Sequence, residues 1–233
     1  MKTAIITGAS TGIGAATASL FAASGYQVFN LSRRQNPQAN INNLPCDLNS
    51  ATDIDSSCQF LLPKIKASQS VSLIHNASQM HKDSADNCDS LTLRTILETN
   101  IVAINSINQH LLSALPASSS LLYVGSTLSE KAVANSFSYI LSKHAQLGMM
   151  RASCQDLMGQ GIHTALICPG FTDTEMLRTH LGDNTSLRAT IASMNAFERL
   201  IKPTEIAELL YWAHHNPVIN GAVLHANLGQ KEH

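Results

Sequence analysis

The sequence is short of charge, of aromatic rings and of long apolar runs, and these shortages exclude several kinds of protein. Charged residues make up 13% of the 233 positions, aromatic residues 5%, and the formal net charge is −1. No basic face is therefore expected for nucleic acid or for an anionic membrane surface. No stretch approaches the roughly 20 consecutive apolar residues of a membrane span. Because residues 1–7 lead into a strand-like run without a signal-peptide pattern, we expect a cytoplasmic protein without membrane contact.

Cysteines are few, and the histidines lack the spacing of metal ligands. The five cysteines are scattered, odd in number and free of any C-x-x-C pair, which is typical of reduced side chains used as small apolar residues. The ten histidines show no H-E-x-x-H or similar pattern, so no metal site is predicted. We expect His214, His215 and the other histidines to face solvent.

Apolar residues are abundant, at 44% of the chain, which is enough for one large core in a single domain over 1–233. Short apolar runs alternate with longer helical stretches, which predicts an α/β fold. We expect a single-domain Rossmann fold, with a doubly wound parallel sheet of about seven strands and helices on both faces. The predicted strands cover 4–7, 27–31, 44–46, 72–75, 120–125, 163–168 and 223–226. The predicted helices lie near 14–24, 51–66, 91–115, 137–159 and 204–215.

Residues 171–199 interrupt this alternation. They follow a predicted strand, lack one continuous periodicity and mix apolar with polar residues. A long excursion at the carboxyl edge of a parallel sheet is typical of a substrate-binding loop or lid. The alternative is a pair of short surface helices, and the two interpretations are compatible.

A glycine-rich turn follows the first predicted strand. Thr7-Gly8-Ala9-Ser10-Thr11-Gly12-Ile13-Gly14 has the spacing G-x-x-x-G-x-G. Glycines let the chain turn sharply and let backbone N–H groups approach a pyrophosphate at the start of a helix. Glycines alone also occur in ordinary turns, but their place between a first strand and an alanine-rich helix favours nucleotide binding.

The end of the second predicted strand distinguishes two nucleotides. An acidic side chain there would bind the adenosine ribose 2′-hydroxyl, whereas an arginine would pair with a 2′-phosphate. The strand is followed by Ser32-Arg33-Arg34, with no acid, which favours NADP(H) over NAD(H). The alternative is that the arginines only solvate a loop, and that alternative fits Arg34 better than Arg33.

A tyrosine and a lysine share one face of a predicted helix. Tyr139 and Lys143 are four residues apart, so both side chains can point into one crevice. A tyrosine pKa of about 10 is too high for acid–base work near neutrality, and a nearby cation lowers it. Ser126 closes the apolar run 121–125, where its hydroxyl can hydrogen-bond a substrate oxygen. The pair alone would be structural; the combination predicts a catalytic site.

These motifs, in this order, resemble the short-chain dehydrogenase/reductase family in its ordinary-length, NADP(H)-dependent branch. Further matches are Asp47-Leu48, Asn76-Ala77, Asn100 and Pro169-Gly170-Phe171-Thr172-Asp173-Thr174. Ser78 departs from the pattern, because it stands where the family has a glycine. The resemblance covers nearly the whole chain.

The resemblance implies a role for each matched side chain. Tyr139 would exchange a proton with the substrate oxygen, which Ser126 would hold and polarise. Lys143 would lower the pKa of Tyr139 and hydrogen-bond the nicotinamide ribose. Asn100 would help hold a water that links Lys143 to solvent, and Thr174 would bind the carboxamide.

Two residue sets follow from the motifs and the resemblance. The cofactor-binding set is Gly8, Ser10, Thr11, Gly12, Ile13, Gly14, Ser32, Arg33, Arg34, Asp47, Leu48, Asn76, Ala77, Tyr139, Lys143, Pro169, Gly170, Thr172 and Thr174. The substrate-pocket set is mostly apolar and consists of Ser78, Leu128, Val133, Phe137, Phe171, Met176 and Leu177.

The function implied is an NADP-dependent carbonyl reductase or alcohol dehydrogenase acting on a small, largely uncharged molecule. One alternative is a non-catalytic NADP(H)-sensing protein of the same fold. Another is an NADP-using dehydratase or epimerase, because one fold hosts many chemistries. The resemblance also implies a homodimer or homotetramer that pairs through the helical stretches 91–115 and 137–159.

Overall fold

One sheet organises the chain. The computed structural model describes residues 1–182 and 185–231, and within these residues seven parallel strands lie in the order β3-β2-β1-β4-β5-β6-β7. The strands are β1 (Lys2–Thr7), β2 (Gln27–Ser32), β3 (Ile41–Pro45), β4 (Ser70–His75), β5 (Ser120–Val124), β6 (His163–Pro169) and β7 (Ala222–Ala226). The predicted doubly wound sheet is confirmed, while residues 183, 184, 232 and 233 of the predicted domain lie outside the described residues.

The side of the sheet to which the chain adds new strands changes once. The chain adds β2 and β3 on one side of β1 and then crosses over to add β4 on the other side. The carboxyl ends of β1 and β4 therefore flank the crevice where open α/β sheets bind ligands. Strands β1 and β5 are buried almost along their whole length, as expected for parallel strands covered on both faces.

Helices cover both faces of the sheet. They are α1 (Gly12–Ala23), α2 (Ala51–Lys66), α3 (Ser90–Leu97), α4 (Ala103–Leu111), α5 (Phe137–Asp156), α6 (Glu175–Leu181), α7 (Thr185–Ala192) and α8 (Pro203–His215). One apolar layer contains Phe21 of α1 and Leu210 of α8. The opposite layer contains Leu61 of α2, Ile107 of α4 and Met150 of α5. None of the helices in the described part of the chain combines the length and the apolar character needed to cross a membrane.

The predicted helix 91–115 differs from the structure. A π-helical turn, Glu98–Val102, separates α3 from α4, and α4 ends at Leu111. The wider turn contains Asn100, whose side chain bonds to a neighbouring loop, and π turns of this kind occur mostly at functional sites. Strand β3 begins at Ile41 rather than at 44, because Asn42 and Asn43 are strand residues whose carboxamides bond to backbone.

The excursion 171–199 contains two short helices, α6 and α7, as the alternative interpretation held. Residues 183 and 184 of the predicted lid lie outside the described residues. The base of the excursion is closed by backbone bonds, because Ile201 donates to Phe171 and Asp173 donates to Ile201, both at 2.9 Å. The excursion thus starts and ends beside the carboxyl end of β6.

Three histidines are buried, so the expectation of solvent-facing histidines is wrong for them. His75, His163 and His214 are 0%, 4% and 5% exposed. His214 Nδ1 lies 2.7 Å from Ser120 Oγ, and His163 Nε2 lies 2.8 Å from the Ala213 carbonyl oxygen. Burial lowers the pKa of His75 to about 4 and that of His214 to about 3, and it also lowers the pKa of His163. These histidines are therefore neutral parts of the core.

We predict that the protein loses stability as pH falls below about 6.5, the ordinary histidine pKa. The unfolded chain binds protons on these three histidines near that pH, whereas the folded chain keeps them neutral to lower pH, so stability rises with pH in this window. The thermal midpoint should drop by about 5 °C or more between roughly pH 7.5 and pH 5.

Thermal unfolding of His214→Gln should show a weaker pH dependence than the natural protein. His144→Gln is the matched control on an exposed position and should keep the original dependence. A midpoint that stays constant across this pH range would contradict the prediction.

Candidate active site

The loop from Gly8 to Gly14 joins β1 to α1 at the carboxyl edge of the sheet. Gly8 and Gly12 have φ values of +68° and +56°, a left-handed backbone that favours glycine. A Cβ on Gly14 would lie 2.3 Å from the Gly8 carbonyl oxygen, so a side chain there would prevent this close packing. The Thr11 side chain does not cap α1, and its first turn has no acid. The first N–H groups of α1 therefore fit an anionic pyrophosphate.

An asparagine network that the sequence analysis missed supports this loop. Ala9 N donates to Asn30 Oδ1 at 2.9 Å, and Asn36 Nδ2 donates to the Ala9 carbonyl oxygen at 2.7 Å. Asn30 Nδ2 also donates to Asn43 Oδ1 at 2.8 Å. Asn30 and Asn36 are buried, and buried amides are stable only when hydrogen-bonded. The signal in the sequence was Asn30, a polar residue inside an otherwise apolar strand.

The two arginines after β2 differ in their contacts. Arg34 Nη1 lies 2.9 Å from Glu175 Oε1, at the first residue of α6, and Arg34 Nη2 lies 3.5 Å from Thr11 Oγ1. The Ser32 hydroxyl donates to the Arg34 carbonyl oxygen. Arg33 is exposed, and no described residue forms a side-chain hydrogen bond or ion pair with its guanidinium. Arg34 thus joins the glycine loop to the excursion, whereas Arg33 is available for an anion.

Asn76 joins the ends of β1 and β4. Its Nδ2 donates to the carbonyl oxygens of Thr7 and Gly8 at 3.1 and 3.0 Å. Thr7 Oγ1 accepts from the backbone N–H groups of Asn76 and Ala77, both at 3.0 Å. A Cβ on Gly8 would lie 3.0 Å from Ala77 Cα. The predicted cofactor residues Asn76 and Ala77 therefore form the wall against which the glycine loop packs.

The predicted adenine-binding residues, Asp47 and Leu48, are only partly available for a contact with adenine. Asp47 Oδ1 accepts from Asn49 N at 3.0 Å, beyond the end of β3. Leu48 is 6% exposed and packs in the core beside Cys46 and Ile54. Little of the Leu48 side chain is therefore left for a contact with adenine.

The structure brings Ser126, Tyr139 and Lys143 together where β5 ends. Ser126 Oγ accepts from Leu128 N at 3.1 Å and thereby caps a short 3-10 turn, Thr127–Ser129. Tyr139 is 8% exposed and Lys143 is 2% exposed. Lys143 Nζ lies 5.5 Å from the centre of the Tyr139 ring. This is the predicted arrangement of a phenol, a hydroxyl and an ammonium around one crevice.

Burial dominates the acid–base properties of this pair. Burial raises the pKa of Tyr139 to about 12, although the hydroxyls of Ser126 and Ser78 act in the opposite direction. Burial lowers the pKa of Lys143 to about 8. Burial sets the net direction of the Tyr139 pKa in the chain without cofactor, and the effect of Lys143 on that pKa stays a prediction. Near neutral pH the phenol is protonated, which is the form that donates a proton.

Asn100 ties the loop after β4 to the helix that carries Tyr139. Its Oδ1 accepts from Gln79 N at 2.8 Å, and its Nδ2 donates to the Gln79 carbonyl oxygen and to Ser142 Oγ, both at 2.9 Å. Ser142 Oγ donates in turn to the Tyr139 carbonyl oxygen at 2.7 Å. These bonds show Asn100 holding the site together, and its water-holding role stays a prediction.

Ser78 is fixed between two anchored neighbours, and its hydroxyl lies close enough to Tyr139 to act on the pKa of that phenol. Ala77 is held by Thr7, and Gln79 is held by Asn100. Ser78 Oγ is buried and has no hydrogen-bond partner among the described residues. The Ser78 hydroxyl therefore lines the crevice beside Tyr139, where the family has a glycine.

The segment after β6 approaches the glycine loop. A Cβ on Gly12 would lie 3.1 Å from Thr174 Cγ2, and Thr174 Oγ1 accepts from Leu177 N at 3.3 Å. Thr172 Oγ1 donates to the Gly170 carbonyl oxygen at 3.0 Å and is buried. Pro169 is the last residue of β6. The predicted carboxamide segment therefore lies beside the predicted pyrophosphate loop.

The predicted substrate-pocket residues fall into two groups. Leu128, Phe171 and Leu177 are partly buried and Met176 is 41% exposed. Val133 and Phe137 instead line an apolar cavity of about 350 Å³ with residues such as Leu141. Among the described residues that line this cavity there is no Ser126, Tyr139 or Lys143, so the structure does not place Val133 and Phe137 with the catalytic group.

Comparison with known proteins gives the same picture from sequence. The family model described as enoyl-(acyl carrier protein) reductase matches residues 8–231. The chain is 26% identical over 240 residues to the 3-oxoacyl-(acyl-carrier-protein) reductase FabG of Salmonella typhimurium, covering 98% of this chain and 96% of that protein. It is also 26% identical over 229 residues to the A-factor type gamma-butyrolactone 1′-reductase (1S-forming) of Streptomyces virginiae, covering 91% and 87%.

Solved structures share the fold. A short chain dehydrogenase family protein from Francisella tularensis superposes with a TM-score of 0.90 at 24% identity, covering 98% of each chain. A short chain dehydrogenase from Burkholderia cenocepacia, solved in complex with NADP, superposes with a TM-score of 0.87 at 24% identity, covering 98% of this chain and 97% of that one.

We predict that Asn100→Ala destabilises the protein by about 2 kcal/mol, because it leaves the N–H and the carbonyl of Gln79 without their partner. Urea unfolding measures this change. Asn40→Ala is the matched control, since Asn40 is exposed, and it should cost about 0.5 kcal/mol or less. Equal losses for the two variants would contradict the role given to Asn100.

Proposed function

The chain belongs to the short-chain dehydrogenase/reductase family and is an oxidoreductase of that type, and we propose that it transfers a hydride between NADP(H) and a carbonyl or alcohol group. The observation that carries this proposal is the group of Ser126, Tyr139 and Lys143 at the end of β5, in which Tyr139 and Lys143 are buried. A small uncharged ketone or aldehyde is the proposed substrate, since the predicted pocket residues Leu128, Phe171 and Leu177 are apolar.

The protein contributes positioning and proton transfer. When bound, NADP(H) supplies or accepts the hydride at its nicotinamide ring. The Tyr139 phenol gives its proton to the carbonyl oxygen as negative charge develops there. The Ser126 hydroxyl would hold that oxygen, and the buried Ser78 hydroxyl would offer a second donor. The charged Lys143 ammonium would hold the cofactor ribose and stabilise the phenolate that remains.

Two observations support carbonyl reduction as the proposed direction of the reaction. Burial keeps Tyr139 protonated, because it raises its pKa to about 12, and carbonyl reduction consumes a proton. Two relatives of this chain are named as reductases. The protonated phenol is the form that donates this proton.

The cofactor proposal rests on Arg33. Its guanidinium is exposed beside the end of β2, where a 2′-phosphate would lie. Arg34 is engaged by Glu175, so the two arginines separate into an anion-binding residue and a residue that joins two loops. NADP(H) is therefore proposed over NAD(H).

A homodimer or homotetramer in the cytoplasm is also proposed. Leu91 and Val102, on the stretch from α3 to α4, are 75% and 46% exposed, and Leu141 on α5 is 41% exposed. Apolar side chains exposed on these adjacent elements support a protein partner face. The scattered free cysteines fit a reducing compartment.

Arg33→Ala should weaken NADPH binding by about tenfold or more and change NADH binding by less than about twofold, because only NADPH carries the 2′-phosphate. Fluorescence titration of the two cofactors measures both affinities. Arg34→Ala is the matched control and should alter NADPH affinity less, since its guanidinium already has Glu175 as partner. Equal losses for NADPH and NADH in the Arg33 variant would contradict the proposal.

Tyr139→Phe should lower the turnover rate of NADPH-dependent carbonyl reduction by about 1000-fold while NADPH affinity changes by less than about twofold. The variant removes the proton donor and keeps the ring. NADPH oxidation, followed by absorbance with a panel of uncharged ketones and aldehydes, measures the rate. A protein that binds NADPH and oxidises none of it with any carbonyl would instead favour a sensor, a dehydratase or an epimerase.

A further inference from the structure

Gln146 is a buried amide that no motif had singled out. It lies three residues after Lys143 on α5, so the two side chains share one helix face. Gln146 is 1% exposed, and its Oε1 accepts a hydrogen bond from Lys143 Nζ at 3.1 Å. Glutamine is rarely buried in proteins, and its burial is costly unless the amide is hydrogen-bonded. Its neighbours on α5, Leu147 and Met150, belong to the apolar core, so a polar side chain at this position calls for a reason.

The Lys143 ammonium has two fixed acceptors inside the protein. Its Nζ donates to the Val124 carbonyl oxygen at 2.9 Å and to Gln146 Oε1 at 3.1 Å. An ammonium group has three N–H donors. One donor is therefore left for the crevice where Tyr139 lies, and the other two fix the direction in which it can point.

Lys143 keeps its charge with the help of neutral acceptors. The titratable groups that face its ammonium are Tyr139 on the same helix and Cys168 on β6. Glu130 acts on Cys168 and is paired with His225 at 2.8 Å, and the described residues include no carboxylate in an ion pair with Lys143. Burial penalises the ammonium, so each hydrogen bond to it matters for its protonation state.

We propose that Gln146 is a positioning residue that holds the Lys143 ammonium protonated and aimed at the Tyr139 hydroxyl and the cofactor ribose. The importance of Gln146 for the reaction rests on the proposed function, in which Lys143 supports the proton donor. The effect of Gln146 on Lys143 does not rest on the proposed function, because it is a property of the chain without cofactor or substrate.

Two substitutions distinguish this role from simple filling of space. Gln146→Leu keeps a similar volume and removes the acceptor, so the protonated form of Lys143 loses a hydrogen bond. Gln146→Glu replaces the neutral acceptor by an anionic one, which favours the protonated form. If Gln146 only filled space, the two substitutions would not shift the titration midpoint of Lys143 in opposite directions.

The test is a direct titration of Lys143 in the full-length protein without cofactor. Lysine labelled with ¹³C at Cε is followed by NMR against pH, and the Lys143 signal is identified by its loss in Lys143→Arg. We expect its midpoint to fall by about one pH unit in Gln146→Leu and to rise by about one in Gln146→Glu. Gln155→Leu, an exposed glutamine on the same helix, is the matched control and should leave the midpoint unchanged.

The proposal would be overturned if the Lys143 titration midpoints of both variants lay within about 0.3 pH unit of that of the natural protein. A titration precise to about 0.1 pH unit resolves such shifts. Thermal unfolding shows that each variant is folded, and Gln146→Met replaces Gln146→Leu if the latter is not. In the NADPH oxidation assay, the loss of rate at alkaline pH should move in the same directions as the midpoints. If no carbonyl is reduced by the natural protein, the proposed function fails, while the NMR titration still decides the role of Gln146.

Discussion

The joint between β1 and β4 is the constraint on which the site depends. Thr7 Oγ1 accepts hydrogen bonds from the backbone N–H groups of Asn76 and Ala77, which follow the neighbouring strand β4. The Asn76 carboxamide in turn donates to the carbonyl oxygens of Thr7 and Gly8. This joint lies where the strand order reverses. On one side it supports the glycine loop through Gly8, and on the other it positions Ser78. The predicted cofactor loop and the proposed catalytic crevice therefore have a common anchor.

From this joint, a short series of contacts reaches α5, the helix that carries Tyr139 and Lys143. Gln79 bonds to Asn100, Asn100 to Ser142, and Ser142 to the Tyr139 backbone. The π-helical turn around Asn100 places that side chain between the two segments. Because the crevice is buried, the phenol is held protonated and the ammonium of Lys143 is retained with oxygen acceptors. The fold thus sets both the geometry and the protonation states.

The features that sequence analysis predicted are those that depend on nearby residues. The glycine turn, the tyrosine–lysine spacing and the strand periodicity are local patterns. Features set by distant contacts were missed: Arg34 meets Glu175, 141 positions away, and His214 is buried against Ser120. The rise in the Tyr139 pKa could not be predicted from the sequence, because burial depends on the whole fold. Gln146 could have been noticed from its spacing to Lys143, but its burial could not.

The central claim is that a hydride passes between the nicotinamide and a substrate carbon. NADPH carrying deuterium at C4, on one face and then on the other, should be incubated with the natural protein and an uncharged ketone that it reduces. The account predicts that one of the two labelled cofactors transfers one deuterium to the carbinol carbon of each alcohol molecule, as read by mass spectrometry. Product that forms without deuterium from either labelled cofactor would contradict it.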